Sequence, residues 1–369
     1  MKQLERILIS GGGTGGHIFP AVSIADAIRR VNPDAKILFV GAEGRMEMER
    51  VPAAGYDIIG LPVAGFDRKR PWRNIKVLWK LWRSMRRARR IVRDFKPQIA
   101  IGVGGYASGP TLKAAQKAGV PTLLQEQNSY AGVTNKLLAA HARRICTAYP
   151  GMERFFPADA IIMTGNPVRP ALLECKLTQP EAKRTLGFEA DRPLVLVVGG
   201  SLGARTVNES MAAALPRLLG DGKGMQILWQ TGKSGREIGE EAVRGFLDVK
   251  ATPFIADMGA AYRAADLVVA RAGAGTISEL QLLGKPVILI PSPNVAEDHQ
   301  RKNAEALVNH DAAVMILDCD AHEKLAPEIE RLMADASARE KLSRNILKMA
   351  LPGAADRIAA EAAKIVSNS

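Results

Sequence analysis

Three glycine-rich stretches hold the residues of this chain whose types and spacing could do chemistry. The first reads Ser10-Gly11-Gly12-Gly13-Thr14-Gly15-Gly16-His17, directly after the apolar run Ile7–Ser10 and ahead of Ala21, Ile24, Ala25 and Ile28 at helical spacing. Glycines there let backbone approach a ligand closely, and the unpaired N–H groups of a helix start favour negative charge. Gly11, Gly13 and Gly16 spell the G-x-G-x-x-G of dinucleotide folds, with Glu43 near the place of a ribose-binding acid. Alone, this loop fits NAD or FAD as well as a sugar nucleotide. The second stretch is Gly199-Gly200-Ser201-Leu202-Gly203-Ala204-Arg205, and the third runs from Arg271 through Gly273-Ala274-Gly275-Thr276 to Glu279. Any one of them could be a plain strand-to-helix turn. Phosphate-type turns in both halves suit a chain that holds a nucleotide-diphosphate donor in one half and an acceptor in the other.

His17 is the one histidine among five that stands in the first glycine loop, which makes it a candidate general base; the bland alternative is a ring that caps or packs the first helix. Asp318-Cys319-Asp320 has the D-x-D form of a metal site, but Asp320 followed by Glu323 also reads as a capping box for a helix beginning there. Three scattered cysteines, Cys146, Cys175 and Cys319, suit neither a disulfide framework nor a C-x-x-C site.

The elements that must position these loops alternate short β-branched runs with helix-length amphipathic stretches, the pattern of βαβ units and parallel sheets. Six strands are expected in the first half (Ile7–Ser10, Ile37–Val40, Ile99–Val103, Thr122–Gln125, Arg144–Thr147, Ile161–Thr164). Six more follow in the second (Leu194–Val198, Gln226–Gln230, Thr252–Ala256, Leu267–Ala270, Val287–Ile290, Ala313–Leu317). The expected architecture is α/β, two Rossmann-like doubly wound domains facing a cleft. The first domain is 1–165, the second 166–345, joined near Gly165-Asn166-Pro167, and a terminal segment 346–369 forms a helix able to pack back on the first. A length of 369 residues allows two cores, and 47% hydrophobic with 24% charged residues is a globular balance. The longest apolar runs are strand-sized, so no membrane-spanning helix is expected. The first residues lack the apolar core of a signal peptide, so a cytoplasmic protein is expected.

The matching segments become specific when read together. G-G-T-G-G-H at Gly12–His17, G-G-Y at Gly104–Tyr106, E-Q-N at Glu126–Asn128, G-N-P-V-R at Gly165–Arg169, G-G-S-x-G-A at Gly199–Ala204, R-x-G-A-x-T-x-S-E at Arg271–Glu279 and H-Q-x-x-N-A at His299–Ala304 follow in order along most of the chain. In this the sequence resembles the MurG family, N-acetylglucosaminyltransferases of the two-domain GT-B fold that convert lipid I to lipid II in peptidoglycan synthesis. It departs from the family pattern at Leu202, Ala272, Gln125 and Ser129, where glutamine, serine, histidine and glycine are common.

The resemblance implies an inverting transfer from UDP-N-acetylglucosamine to undecaprenyl-linked lipid I. His17 and Glu126 are the candidates for the base, Glu126 alternatively orienting the acceptor. Thr14, Gly15, Gly16 and Tyr106 would cradle the acceptor beside His17 and Glu126, with the same loop also near the donor. Ala274, Gly275 and Thr276 would face the UDP diphosphate, Glu279 the ribose, and the Ile255 backbone the uracil. Ser201 and Arg169 would contact phosphate, and Asn128, Gln300 and Asn303 the sugar. No tightly bound cofactor or metal is expected; a magnesium ion held loosely on the donor diphosphate stays open. Readings of other classes are a UDP-N-acetylglucosamine 2-epimerase-like enzyme, another UDP-sugar transferase, or a non-catalytic membrane adaptor.

Charge adds a further element. Between Phe66 and Lys96 stand thirteen Lys or Arg against two Asp, a net of +11 out of +13 for the chain. As a helix over 72–94, Val77, Leu81, Met85, Ala88, Val92 and Phe95 form a core face, while Trp72, Ile75, Trp79 and Trp82 fall elsewhere, flanked by Arg83, Arg86 and Arg90. Aromatic rings among cations suit an anionic membrane surface, so peripheral attachment at the cytoplasmic face of the bacterial membrane is expected. A solvated face under a covering loop is the plainer rival, and no recognition motif supports nucleic acid.

Overall fold

A computed structural model describes residues 3–13, 15–63, 74–200, 203–220 and 224–368. Two compact units divide the chain: Met1–Arg169 with Leu351–Ser369, and Pro170–Ala350.

The first unit carries seven strands, β1 (Arg6–Ser10), β2 (Lys36–Ala42), β3 (Asp57–Leu61), β4 (Ile99–Gly102), β5 (Thr122–Glu126), β6 (Arg144–Thr147) and β7 (Ile161–Met163). They form one parallel sheet in the order β3-β2-β1-β4-β5-β6-β7. Alternate residues of each strand serve opposite faces: Ile7 and Ile9 join a core with Ile24 and Ile28, whereas Leu8 joins another with Ala88 and Val92. Both faces are therefore covered by helices, as a parallel sheet requires. The terminal helix Ala354–Ser367 belongs to this unit, where Ile358, Ala359 and Ala362 share the core with Ile24 and Ile28 of the helix Gly15–Val31. Arg357 fastens it by donating from Nε to the Thr164 carbonyl at 3.2 Å.

Among the described residues of this unit seven strands stand where six were expected. The additional one, β3, is a short edge strand interrupted by Gly60, which weakens its β-branched signal.

The second unit has β8 (Leu194–Val198), β9 (Gln226–Gln230), β10 (Val249–Thr252), β11 (Leu267–Ala270), β12 (Val287–Leu289) and β13 (Val314–Met315), in the order β10-β9-β8-β11-β12-β13. β10 lies earlier than the expected Thr252–Ala256, because the pairing with β9 runs from Val249 against Ile227 to Thr252 against Gln230. Its core gathers Val195, Val197, Trp229, Val269 and Ile288.

In each unit the strand order reverses once, between β1 and β4 and between β8 and β11. Ligands of open parallel sheets bind at such switch points, beyond the carboxyl ends of the strands. The first glycine loop leaves β1, Gly104-Gly105 leaves β4, and the other two glycine loops leave β8 and β11.

Candidate active site

The β1 loop of the first unit is held from below by a residue that its motif does not contain. Glu47, fully buried at the start of the helix Glu47–Ala53, accepts the Gly13 N–H through both carboxylate oxygens at 3.0 Å. It also accepts the Ala42 N–H at 3.0 Å. A Cβ on Gly12 would stand 2.1 Å from Glu47 Oε1, and one on Gly105 would stand 2.2 Å from the Gly12 carbonyl oxygen. The glycines of this loop are therefore demanded by what packs against them. The Ser108 hydroxyl bridges the carbonyls of Ser10 and Gly104, at 2.7 and 2.9 Å, and locks the β1 and β4 loops together.

His17 lies in the first turn of the helix Gly15–Val31, half-buried. Its ring rests on Gly104, where a Cβ would come within 2.8 Å of Cε1, and its Nδ1 stands 3.1 Å from Gln127 Oε1. Gly15 and Gly16 open the same helix, and Tyr106 is 55% exposed beside the β4 loop. Arg169 stacks its guanidinium 5.0 Å from the centre of the Phe19 ring. Thr14 lies outside the described residues.

Glu126 ends β5 and is buried. One carboxylate oxygen accepts the Asn128 N–H at 3.1 Å and the Asn128 side-chain amide at 3.2 Å. The other accepts the Gly132 N–H at 3.0 Å and the Asn135 amide at 2.9 Å. With four donors around it, this carboxylate organises the loop that presents Asn128.

In the second unit the β11 loop enters the helix Ala274–Leu283, whose N-cap is Gly273. Gly273 has no side chain to satisfy the N–H groups of Ala274, Gly275 and Thr276, so this helix start offers donors and a positive dipole end to an anion. Glu279 lies further along the helix, where Oε2 accepts the Tyr262 hydroxyl at 2.9 Å. Asn303, fully buried in the helix His299–Val308, donates to the Ala272 carbonyl at 3.4 Å. Gln300 accepts the Ser292 N–H at 2.9 Å. Ile255 sits in the loop after β10, and its N–H donates to Gln230 Oε1 at 3.2 Å. Ser201 lies outside the described residues.

Asp318 of the D-x-D accepts the Thr206 hydroxyl at 2.9 Å and pairs with Arg271, which also donates to the Ile290 carbonyl at 3.1 Å. This tie joins the β8, β11 and β12 ends of the second unit. The expected capping box is not formed. Asp320 has helical backbone angles and makes no side-chain cap; its carboxylate accepts instead from Lys324 at 2.8 Å, the residue one turn on. Among the described residues no three His, Cys, Asp or Glu side chains gather as metal ligands.

The basic segment forms the helix Asn74–Phe95. Ala88, Ile91 and Val92 are buried, but Leu81, expected on the core face, is 37% exposed, and Leu78, Trp79 and Trp82 are more exposed still. Among the described side chains of this helix, the buried ones stand in its second half, so helical spacing alone extended the core face too far. Arg83 and Arg86 stack on Trp79 and Trp82, each 4.7 Å from the ring centre. Trp72 lies outside the described residues, as does the side chain of Ile75. Among the described residues no helix is long and apolar enough to cross a membrane.

Residues 7–147 match the glycosyltransferase family 28 N-terminal domain and residues 194–358 the family's C-terminal domain. The UDP-N-acetylglucosamine--N-acetylmuramyl-(pentapeptide) pyrophosphoryl-undecaprenol N-acetylglucosamine transferase of Bacteroides fragilis is 60% identical over 367 residues, covering 99% of this chain and 96% of that one. The chain belongs to the MurG family. The transferase of the same name from Bacteroides thetaiotaomicron is 59% identical, with 99% of both chains covered. The crystal structure of Acinetobacter baumannii MurG aligns with a TM-score of 0.77 at 26% identity, over 98% of this chain and 99% of that one. A UDP-N-acetylglucosamine 2-epimerase aligns at 0.71 with 16% identity, a likeness of fold alone.

For this MurG-family chain, motif reading missed Glu47, Gln127, Tyr262 and the Arg271–Asp318 pair. Each acts behind a motif residue. Gln127, Arg271 and Asp318 stood inside quoted motifs, but only the fold could give them, like Glu47 and Tyr262, a direction. Glu43, weighed as a ribose-binding acid, pairs instead with Arg87 across 2.5 Å.

Proposed function

We propose that this chain moves N-acetylglucosamine from UDP-N-acetylglucosamine to the sugar hydroxyl of lipid I, giving lipid II and UDP, with the first unit serving the acceptor and the second the donor. The observation that carries the division of labour is the pair of switch points: one presents an imidazole on a glycine loop, the other a helix start followed by a carboxylate.

In this reading the acceptor hydroxyl attacks the anomeric carbon as the bond to the UDP oxygen breaks, and its proton passes to His17 Nε2. UDP departs with the electron pair, so configuration inverts. The N–H groups of Ala274, Gly275 and Thr276 stabilise the charge that grows on the diphosphate, as fixed dipoles aimed at developing charge do. Arg169 and Ser201 add to that field, Glu279 accepts from the ribose hydroxyls, and the Ile255 backbone meets uracil through its carbonyl. Asn128, Gln300 and Asn303 read the sugar. Thr14, Gly15, Gly16 and Tyr106 hold the acceptor, and Glu126 shapes their neighbour loop. A magnesium ion carried on the donor diphosphate would supply further charge neutralisation.

The same reading sets the enzyme on the cytoplasmic face of the membrane as a peripheral protein, with Trp79, Trp82, Arg83 and Arg86, together with Trp72 and Ile75, meeting anionic headgroups. Rings that accept a cation on one face and lie among lipid headgroups on the other are suited to that boundary.

Incubation with labelled UDP-N-acetylglucosamine and lipid I, together and singly, tests the reaction. Labelled lipid II formed only with both substrates supports the transferase. A changed UDP-sugar formed without lipid I would point to an epimerase instead.

A further inference from the structure

The hydrogen bonds behind His17 form a chain in which every side-chain amide has its orientation fixed by chemistry. At one end Gln127 Nε2 donates to the Val103 carbonyl at 2.8 Å, a partner that can only accept. At the other, Asn166 Nδ2 donates to the Gln127 carbonyl at 3.0 Å, again a pure acceptor. Asn166 Oδ1 must then face Gln125, whose Nε2 donates to it at 2.9 Å. Gln125 Oε1 is left to accept, and it takes the second hydrogen of Gln127 Nε2. Gln125, Gln127 and Asn166 are all buried, so water offers these amides no alternative orientation.

The remaining polar atom of the Gln127 side chain is Oε1, which stands 3.1 Å from His17 Nδ1. An amide oxygen cannot donate, so the ring nitrogen must. We propose that Gln127, braced by Gln125 and Asn166, is a positioning residue that fixes neutral His17 as the Nδ1–H tautomer and thereby makes Nε2 the nitrogen that accepts a proton.

Tautomer choice at a histidine is set by the hydrogen bond that its other nitrogen makes. Gly104 lies against the ring: a Cβ there would come within 2.8 Å of Cε1 and 2.9 Å of Nδ1, so only a glycine lets the imidazole hold this position. A half-turn of the ring about Cβ–Cγ would put the carbon Cδ2 where Nδ1 meets Gln127 Oε1 and so lose the bond. When Nε2 takes the acceptor's proton, the imidazolium keeps its Nδ1–H bond to Gln127 Oε1, and a bond from a charged donor is stronger than one from a neutral donor. The brace involves Gln125 directly, at the position where histidine is common in the family, so this chain builds its support from amides.

This inference rests on the assignment of His17 as the base, and its test keeps the two apart. The full-length protein is labelled with 15N at its five histidines, and the His17 signals are identified by their loss in His17→Ala. At a pH where the ring is neutral, the wild type is expected to show Nδ1 protonated and Nε2 bare. Gln127→Met, similar in shape but without the acceptor, is expected to shift His17 toward the other tautomer and lower kcat at least tenfold, with donor KM within twofold. Gln127→Glu keeps an acceptor oxygen toward the ring and is expected to retain the wild-type tautomer and more turnover than Gln127→Met. Should Gln127→Met not fold, Gln125→Met removes the brace without touching the ring and is expected to give the same shift, smaller in size. A wild-type ring protonated at Nε2, or a tautomer unmoved in the folded Met variants, overturns the inference whatever the rates. A tautomer that moves while kcat does not would support Gln127 as the orienting residue and remove His17 as the base.

Discussion

Glu47 accepts the Gly13 N–H at 3.0 Å through each of its two carboxylate oxygens, and it does so while fully buried. A carboxyl group without solvent is tolerated here because the Gly13 and Ala42 N–H groups hydrogen-bond to it, as burial of a polar group requires. Glu47→Ala leaves the N–H groups of Gly13 and Ala42 without their acceptor, a loss of about 3 kcal/mol in stability. Gly12→Ala drives a methyl into the same carboxylate and is expected to be similarly severe. Chemical denaturation of both single variants and the double variant checks the contact: because removal of the Glu47 side chain makes room for the methyl, the double variant should lose less than the sum. Strict additivity would show that the two do not meet.

His17→Ala is expected to lower turnover by about 10²- to 10⁴-fold, the usual worth of a positioned general base. Donor affinity, measured by calorimetry with UDP, should stay within twofold, because the proposed role of the imidazole is toward the acceptor hydroxyl and not toward the nucleotide. A rate near wild type would remove His17 from proton transfer.

The parts of this design legible in the sequence are those that repeat or punctuate. Glycine loops after apolar runs marked the switch points, since a loop that packs as closely as Gly12 against Glu47 has no room for a side chain. Runs such as Leu194–Val198 announced buried strands. Residues that act from behind were silent. Glu47 is one carboxylate among 38 acidic residues, and nothing in Met46-Glu47-Met48 says that it turns inward. Glu126 was visible as a motif member, but its four donors come from residues 128 to 135 folding around it, an arrangement that spacing does not encode. Asp320 misled in the opposite direction: a capping-box spelling was present, and the i to i+4 partner Lys324 took the carboxylate.

Glu279 should govern nucleotide binding. Its Oε2 accepts the Tyr262 hydroxyl at 2.9 Å, which helps to aim the carboxylate. Glu279→Ala is expected to weaken UDP binding by about 1.5 to 3 kcal/mol, the range for hydrogen bonds to a charged group. Tyr262→Phe should have a smaller effect of the same sign, since it removes one hydrogen bond to the carboxylate but leaves the carboxylate in place. Calorimetric titration with UDP decides this, and unchanged affinity in Glu279→Ala would end the ribose assignment.

Trp79 and Trp82 are 57% and 54% exposed, each under an arginine. Joint replacement of Trp79, Trp82 and Arg86 by alanine is expected to abolish sedimentation with vesicles containing anionic lipid while UDP affinity is retained. Wild-type binding should weaken as salt rises, because exposed charge attraction is screened over about 10 Å at 0.1 M. Sedimentation that survives the triple replacement would transfer the membrane contact to another surface.

Lys285 supplies a test of stability against pH. Burial pushes its ammonium down to about 8, opposed by Asp266 and assisted by Arg263 and Lys183, while Nζ donates to the Ala265 carbonyl at 2.8 Å. Below pH 8 the lysine is charged in both the folded and the unfolded chain, so the folded state carries the full burden of the buried charge. Between about 8 and the ordinary value of 10.5 the folded chain has released this proton and the unfolded chain still holds it. The unfolded state then binds more protons, and stability rises with pH across that window. Lys285→Met has no such contribution. The difference in denaturant midpoint between wild type and Lys285→Met should therefore move in favour of the wild type as pH is raised from 8 toward 10, and a difference that stays constant would mean that the ammonium is not destabilised by its surroundings.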